Sequence, residues 1–139
     1  MKILYTSDIH GNNTHLFSIL SIAEEEKVDC IIIGGDIVPH TLPDMARVGI
    51  LKTQARYLKD VFIPTRKNFK QIGDVVIYLD LGNDDLIYNR KILEEHHGGL
   101  LNLLHFKKHR LTSDVDIMGY MIVPPTGDRR CTMFQPRAG

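Results

Sequence analysis

Three short segments of this 139-residue sequence carry residue types that bind cations, and each follows an apolar run of strand length. They are Asp8-x-His10-Gly11, Gly34-Gly35-Asp36 and Gly82-Asn83-Asp84-Asp85. Asp8 and His10 are two residues apart, so on an extended backbone their side chains can converge on one point. The same residue types are common in helix caps and turns, and no single segment decides between a cap and a metal site.

The apolar runs predict the elements that would position these segments. Residues 2–6, 30–35 and 74–80 have the length and composition of strands. Between the first two, apolar residues recur at helical spacing from Thr14 to about Val28, which predicts a helix. The run 30–35 does not alternate with polar residues, as expected for a strand covered on both faces of a parallel sheet. The predicted fold class is therefore α/β, with a parallel βαβ core.

The later part of the chain has a different pattern of apolar residues. Apolar residues from Val48 to Phe62 recur at helical spacing, Pro64 is expected to interrupt this helix, and residues 86–97 predict a short helix. The segments LLNLLHF, KKHRLTS and VDIMGYMIV, within residues 100–123, alternate more and predict an antiparallel extension. Residues 127–139 show no periodicity and predict an irregular tail, either aberrant or disordered.

The three cation-binding segments should meet at one rim of the sheet. In an open α/β sheet, ligands gather outside the carboxyl ends of the strands. Three strand ends would bring carboxylate, imidazole and amide groups to that rim. Such a mixed set of oxygen and nitrogen ligands suits manganese, iron, zinc or nickel better than calcium. Taken together, the segments predict a metal site.

Composition and charge exclude some classes of function. The chain has 17 basic and 17 acidic residues, so no net charge steers it toward nucleic acid or an anionic membrane. The amino-terminal residues form neither a signal peptide nor a spanning helix. Cys30 and Cys131 have no paired spacing, which is typical of the reducing cytoplasm.

The order DxH, GGD and GN, each after a strand, resembles the calcineurin-like metallophosphoesterase family. The resemblance runs from Met1 to about Thr126 and implies a partial domain over 1–126, equivalent to the first half of an α/β/β/α sandwich. It also implies a two-metal site that hydrolyses phosphomonoesters or phosphodiesters with a metal-activated hydroxide. By position, Asp8 and His10 would hold the first metal, Asp36 would bridge both metals, and Asn83 would bind the second metal and substrate.

The residues after Gly82-Asn83 depart from the family pattern. Family members usually place there a histidine that protonates the leaving oxygen, followed by a carboxylate that orients it. Here Asp84 and Asp85 take these two positions as candidate catalytic residues. Asp84 would be a poor acid, because nearby dications lower the pKa of a carboxylate. His40, four residues after Asp36, is a candidate phosphate-binding residue.

The later family histidines, including a Gly-His-x-His motif, are absent from the sequence. His105 and His109 could substitute, but four strand residues separate them by ~13 Å, so at most one could reach a shared metal. We therefore expect one tightly bound metal per chain. The missing second sheet would leave an apolar sheet face for a homo-oligomeric partner to cover.

Two alternatives to an active phosphoesterase follow from the same residues. One is a catalytically weakened or inactive module that binds metal or phosphate and serves regulation or interaction. The other is a phosphatase of the haloacid-dehalogenase type, but that class needs a second aspartate where His10 stands. The expected substrate is a small phosphoester, with no nucleic-acid or membrane partner.

Overall fold

A four-stranded parallel sheet forms the centre of the computed structural model, which describes residues 1–40, 47–69 and 75–121. Its strands are β1 (Ile3–Thr6), β2 (Cys30–Ile33), β3 (Val76–Leu79) and β4 (Asn102–Leu103), in that order across the sheet. The first three are the strands that the apolar runs predict. The predicted tail 127–139 lies outside the described residues.

The helix that the apolar periodicity predicts between β1 and β2 is confirmed. Helix α1 spans Asn13–Glu25, and the side chain of Asn12 caps it by accepting a hydrogen bond of 3.0 Å from the His15 N–H. Its buried face consists of residues spaced at i, i+3, i+4 and i+7, namely Leu16, Ile19, Leu20 and Ala23. The loop after β1 therefore leads directly into a helix packed on the sheet.

The predicted interruption at Pro64 is wrong. Helix α2 (Arg47–Tyr57) continues through a π-helical turn (Leu58–Phe62) into α3 (Ile63–Asn68). Proline lacks the N–H that an α-helix needs at an interior position. The π-helical turn changes the hydrogen-bond pattern just before it, since the Ile63 N–H donates to the Leu58 carbonyl, and Pro64 then occupies the first turn of α3.

The carboxyl-terminal third is antiparallel only in part. The short helix predicted over 86–97 consists of a 3₁₀ turn (Ile87–Asn89) and helix α4 (Arg90–Glu94), so it ends before residue 97. The chain then returns as β4, which pairs with β3 in parallel, so the antiparallel prediction for LLNLLHF is wrong. A helical crossover returns the chain in the same direction, which favours parallel pairing. Strands β5 (Lys108–Arg110) and β6 (Asp116–Met118) form the predicted antiparallel pair.

The two faces of the parallel sheet are covered unequally. The helical face is buried along its length, and its central residues are Ile31, Ile33, Ile77 and Leu79. On the opposite face, residues of the β5–β6 hairpin cover Cys30 and Tyr78. At the β1 edge of that face, Ile3 and Tyr5 remain 43% and 65% exposed. Among the residues that the structure describes, the exposed apolar surface of this sheet therefore lies at the β1 edge.

Candidate metal centre

The loops after β1 and β2 run side by side beyond the ends of their strands. The Asp8 N–H donates to the Gly35 carbonyl at 3.2 Å, and the His10 N–H donates to the Asp36 carbonyl at 2.8 Å. These backbone bonds extend the ladder between β1 and β2. They bring Asp8, His10 and Asp36 to one rim, as the sequence predicts.

All three of these residues adopt a backbone conformation that L-residues rarely use. The φ angles are 56° for Asp8, 47° for His10 and 52° for Asp36. A left-handed conformation costs a non-glycine residue roughly 1–2 kcal/mol. Such conformations persist where the surrounding structure enforces them, and they concentrate at functional sites. Three in one cluster indicate that the fold holds these side chains in place at a cost in stability.

The three side chains form a group of cation ligands that we call the first cluster. One ligand atom from each of Asp8, His10 and Asp36 lies within 4.8 Å of the others. The Nε2 atom of His10 is 3.5 Å from Oδ1 of Asp8. Two carboxylates and one imidazole are a donor set suited to a divalent transition metal, with water completing the shell.

The electrostatics of the first cluster also favour a cation. Burial raises the pKa of Asp36, and the nearby Asp84 and Asp8 carboxylates raise it further. The Asp84 N–H and the His10 imidazole oppose this rise in pKa. The pKa of Asp8 is lowered, chiefly by a hydrogen bond from the Ser7 hydroxyl. A partly buried carboxylate beside two others is stabilised by a positive ion, so the residues present fit a metal.

A second group of cation ligands lies beside the first, and we call it the second cluster. It consists of His10, His40 and Asp84, with one ligand atom of each within 4.8 Å of the others. Nδ1 of His40 is 2.6 Å from Oδ2 of Asp84. The rings of His10 and His40 stack with centroids 3.5 Å apart. Sequence reasoning placed His40 on the same loop as Asp36 but did not predict its contact with Asp84.

Glycines allow the loop after β3 to reach the other two loops. A Cβ added to Gly35, whose φ is +116°, would lie 2.6 Å from the Gly82 Cα, and one added to Gly82 would overlap the Asp36 carboxylate. This close approach lets the Asp84 N–H donate to Oδ1 of Asp36 at 2.8 Å. The GGD and GN motifs therefore supply backbone clearance as well as ligands.

The structure does not place Asp85 in either cluster. Its carboxylate is buried and accepts three backbone hydrogen bonds, from Ile37 at 3.1 Å, Val38 at 2.9 Å and Gly82 at 2.9 Å. Burial raises the pKa of Asp85, and the three N–H groups oppose this rise. Asp85 thus joins the loop after β2 to the loop after β3, which is a positioning role. A direct catalytic role for it stays a prediction.

Sequence reasoning missed Gln54 of α2, which is only 1% exposed. Its Nε2 donates to the carbonyls of Pro39 at 3.2 Å and Asp84 at 2.8 Å. Its Oε1 accepts from the Leu86 N–H at 3.0 Å and from Asn89 Nδ2 at 2.7 Å. The amide therefore fixes the backbone next to His40 and at Asp84. No local pattern marks this residue, since its partners are 15 to 35 positions away.

The remaining predicted site residues lie at different distances from the clusters. Asn83 is on the same loop as Asp84, and its Nδ2 donates to Oδ1 of Asp84 at 3.0 Å, so its predicted metal and substrate contacts stay predictions. His105 and His109 belong to neither cluster among the described residues. Nε2 of His109 lies 3.1 Å from the Leu103 carbonyl instead.

Comparisons with known proteins agree with this fold. A search of curated proteins found no match to the sequence. A solved crystal structure has the same fold, with a TM-score of 0.60 and 15% sequence identity over 85% of this chain and 51% of that one. The chain thus spans about half the length of that structure. Residues 1–125 match the family described as calcineurin-like phosphoesterase, and the chain belongs to this family.

Proposed function

We propose that this protein is a metal-dependent phosphoesterase. The observation that carries the proposal is the first cluster, in which Asp8, His10 and Asp36 converge at the carboxyl rim of the sheet. Their donor types suit a divalent transition metal, and family membership connects such a site with phosphoester hydrolysis.

The first cluster would hold one manganese, iron, zinc or nickel ion tightly. When bound, such an ion lowers the pKa of a water molecule and neutralises charge on a phosphoryl group. Asp8 and Asp36 supply charge, His10 supplies a nitrogen donor, and the strained loops fix the backbone of all three before the ion arrives. This backbone preorganisation reduces the conformational entropy lost on binding.

A small phosphoester in the cytoplasm is the substrate class that we propose, with no nucleic-acid or membrane partner. The equal numbers of acidic and basic residues support this choice. None of the helices in the described ranges is both long and apolar enough to cross a lipid bilayer.

One observation favours the alternative of a weakened or inactive binding module. Asp84 stands where the resemblance expects a proton-donating histidine, and it belongs to the second cluster, next to the first. A carboxylate next to a cation stays ionised and donates no proton to a leaving oxygen. Substrates with good leaving groups need no such donor, and an active enzyme would prefer them.

Manganese-supported hydrolysis tests the proposal. The purified chain is assayed with bis(p-nitrophenyl) phosphate and p-nitrophenyl phosphate, with excess Mn²⁺ or with EDTA. We expect Mn²⁺-dependent hydrolysis that His10→Gln abolishes and that His96→Gln, a substitution outside both clusters, leaves intact. Retention of metal without hydrolysis of either compound would favour the binding module.

We also propose that a second copy of the chain covers the exposed β1 edge. Ile3 and Tyr5 lie side by side on that edge strand, and exposed apolar surface of this kind favours association. Light scattering should give a mass of at least two chains, and Tyr5→Lys should reduce it. A monomeric mass at high protein concentration would contradict this proposal.

A further inference from the structure

The two ring nitrogens of His10 face different carboxylates. Nε2 lies 3.5 Å from Oδ1 of Asp8, in the first cluster, and Nδ1 lies 3.9 Å from Oδ2 of Asp84, in the second. The Nδ1 atom is buried and has no hydrogen-bond partner among the described residues. Buried polar atoms are normally satisfied, so an unpartnered one requires an explanation.

Two potential cation ligands, His40 and Asp84, lie close to this nitrogen. Oδ2 of Asp84 is 2.6 Å from Nδ1 of His40, and the His40 ring stacks on His10 at 3.5 Å and 17°. Two atoms that bind one transition metal at about 2.0–2.2 Å lie roughly 3–4 Å apart. Small movements of His40, whose side chain is 59% exposed, would bring both atoms to that separation.

Asp84 also contacts Asp36 and Asn83, the two residues that the family resemblance assigns to a second metal. Its backbone N–H donates to Oδ1 of Asp36 at 2.8 Å, and its Oδ1 accepts from Asn83 Nδ2 at 3.0 Å. Asp36 and Asn83 alone would supply only one charged donor and one neutral amide. His40 and Asp84 would add the nitrogen and the second carboxylate that this position otherwise lacks.

We propose that His40 and Asp84 are ligands of a second divalent cation, bound beside the first and more weakly. This inference rests on the proposed function only in that the first cluster must hold its own cation. His10 binds the first cation through Nε2 and turns its Nδ1–H toward Asp84, as metal-bound histidines commonly do toward a carboxylate.

The second cation should bind with lower affinity than the first, and the structure shows why. His40 Nδ1 lies 2.6 Å from Asp84 Oδ2, so this contact must lengthen before both atoms can bind one cation, whereas His10 Nε2 and Asp8 Oδ1 of the first cluster already lie 3.5 Å apart. A site that must rearrange on binding has a lower affinity than one that is preorganised. One cation should therefore survive dialysis while the second needs free metal in solution.

Manganese binding measured by titration calorimetry and by electron paramagnetic resonance tests this proposal. The wild-type chain should bind two Mn²⁺ ions with different affinities. The resonance should develop the spin-coupled spectrum of neighbouring ions, since paired metals lie ~3.5–4 Å apart. His40→Gln and Asp84→Asn should each weaken the second binding step by at least ~10-fold and remove the coupled spectrum, with the first step unchanged. His96→Gln is the matched control and should retain both steps.

The outcomes separate this inference from the proposed function. A single Mn²⁺ per wild-type chain with Mn²⁺-dependent hydrolysis would overturn the second cation and leave the phosphoesterase in place. Two binding steps that neither His40→Gln nor Asp84→Asn alters would assign the second cation to other ligands and overturn the proposal. No Mn²⁺ binding at all would overturn both. Circular dichroism of each variant confirms that a lost step reflects a lost ligand rather than an unfolded chain.

Discussion

The two clusters of cation ligands share His10 but are held together in different ways. The first cluster comes from residues that directly follow β1 and β2, and backbone hydrogen bonds between the two loops hold it. The second depends on His40 and Asp84, 44 positions apart in the sequence, and the side chains of Gln54 and Asp85 hold their loops together. The first cluster can therefore be predicted from local sequence patterns, whereas the second forms through tertiary contacts.

Substitutions at Asp36 and Asp84 should reduce Mn²⁺-dependent hydrolysis by very different factors. Asp36 belongs to the first cluster and also accepts the N–H that positions Asp84, so Asp36→Asn should reduce Mn²⁺-dependent hydrolysis by at least ~100-fold. Asp84→Asn removes a ligand of the second cluster only and should cost about 10-fold. Steady-state rates at saturating Mn²⁺ measure both. If Asp84→Asn proved the more damaging change, Asp84 would be the acid or the principal ligand.

The next effect tests the contacts that hold the loops together. Asp85→Ala leaves two buried N–H groups and one partly buried N–H group without this acceptor, so the free energy of unfolding should fall by about 3 kcal/mol. Asp85→Asn retains one acceptor oxygen and should lose less. Urea unfolding in EDTA measures both changes without a contribution from metal. Unchanged stability in Asp85→Ala would show that the loops do not depend on this residue.

Much of the first cluster could be predicted from sequence, because local patterns encode it. Apolar runs mark β1 and β2, and Asp8, His10 and Asp36 directly follow these two strands in the sequence. The parallel pairing of β4 was not predicted because a two-residue strand is too short to show a periodic pattern. Its direction depends on its pairing with β3, which is a tertiary contact. The contact of His40 with Asp84 was missed because it depends on where Gln54 of α2 lies.

The smallest expected effect concerns a buried carboxylate outside both clusters. Burial raises the pKa of Asp80 from 3.8 to about 6, and its Oδ2 has no hydrogen-bond partner among the described residues. Between these pH values the folded chain keeps a proton that the unfolded chain releases, so stability falls as pH rises through this window. Asp80→Asn should remove this fall and raise the free energy of unfolding at pH 7 by roughly 1–3 kcal/mol.

Urea unfolding of wild type and Asp80→Asn in EDTA, at pH 4, 5, 6 and 7, measures the difference between the two chains. Because Asp36 and Asp85 are present in both, their own titrations cancel in this difference. A constant difference across the series would contradict the assignment of the raised pKa to Asp80.

The first cluster is expected to hold a divalent metal tightly. Elemental analysis of extensively dialysed protein tests this expectation, with Asp8→Asn and His10→Gln as cluster variants and His96→Gln as control. We predict about one transition-metal ion per chain in wild type and in His96→Gln, and little in either cluster variant. Wild-type protein that retains no metal, or cluster variants that retain as much as wild type, would contradict the account.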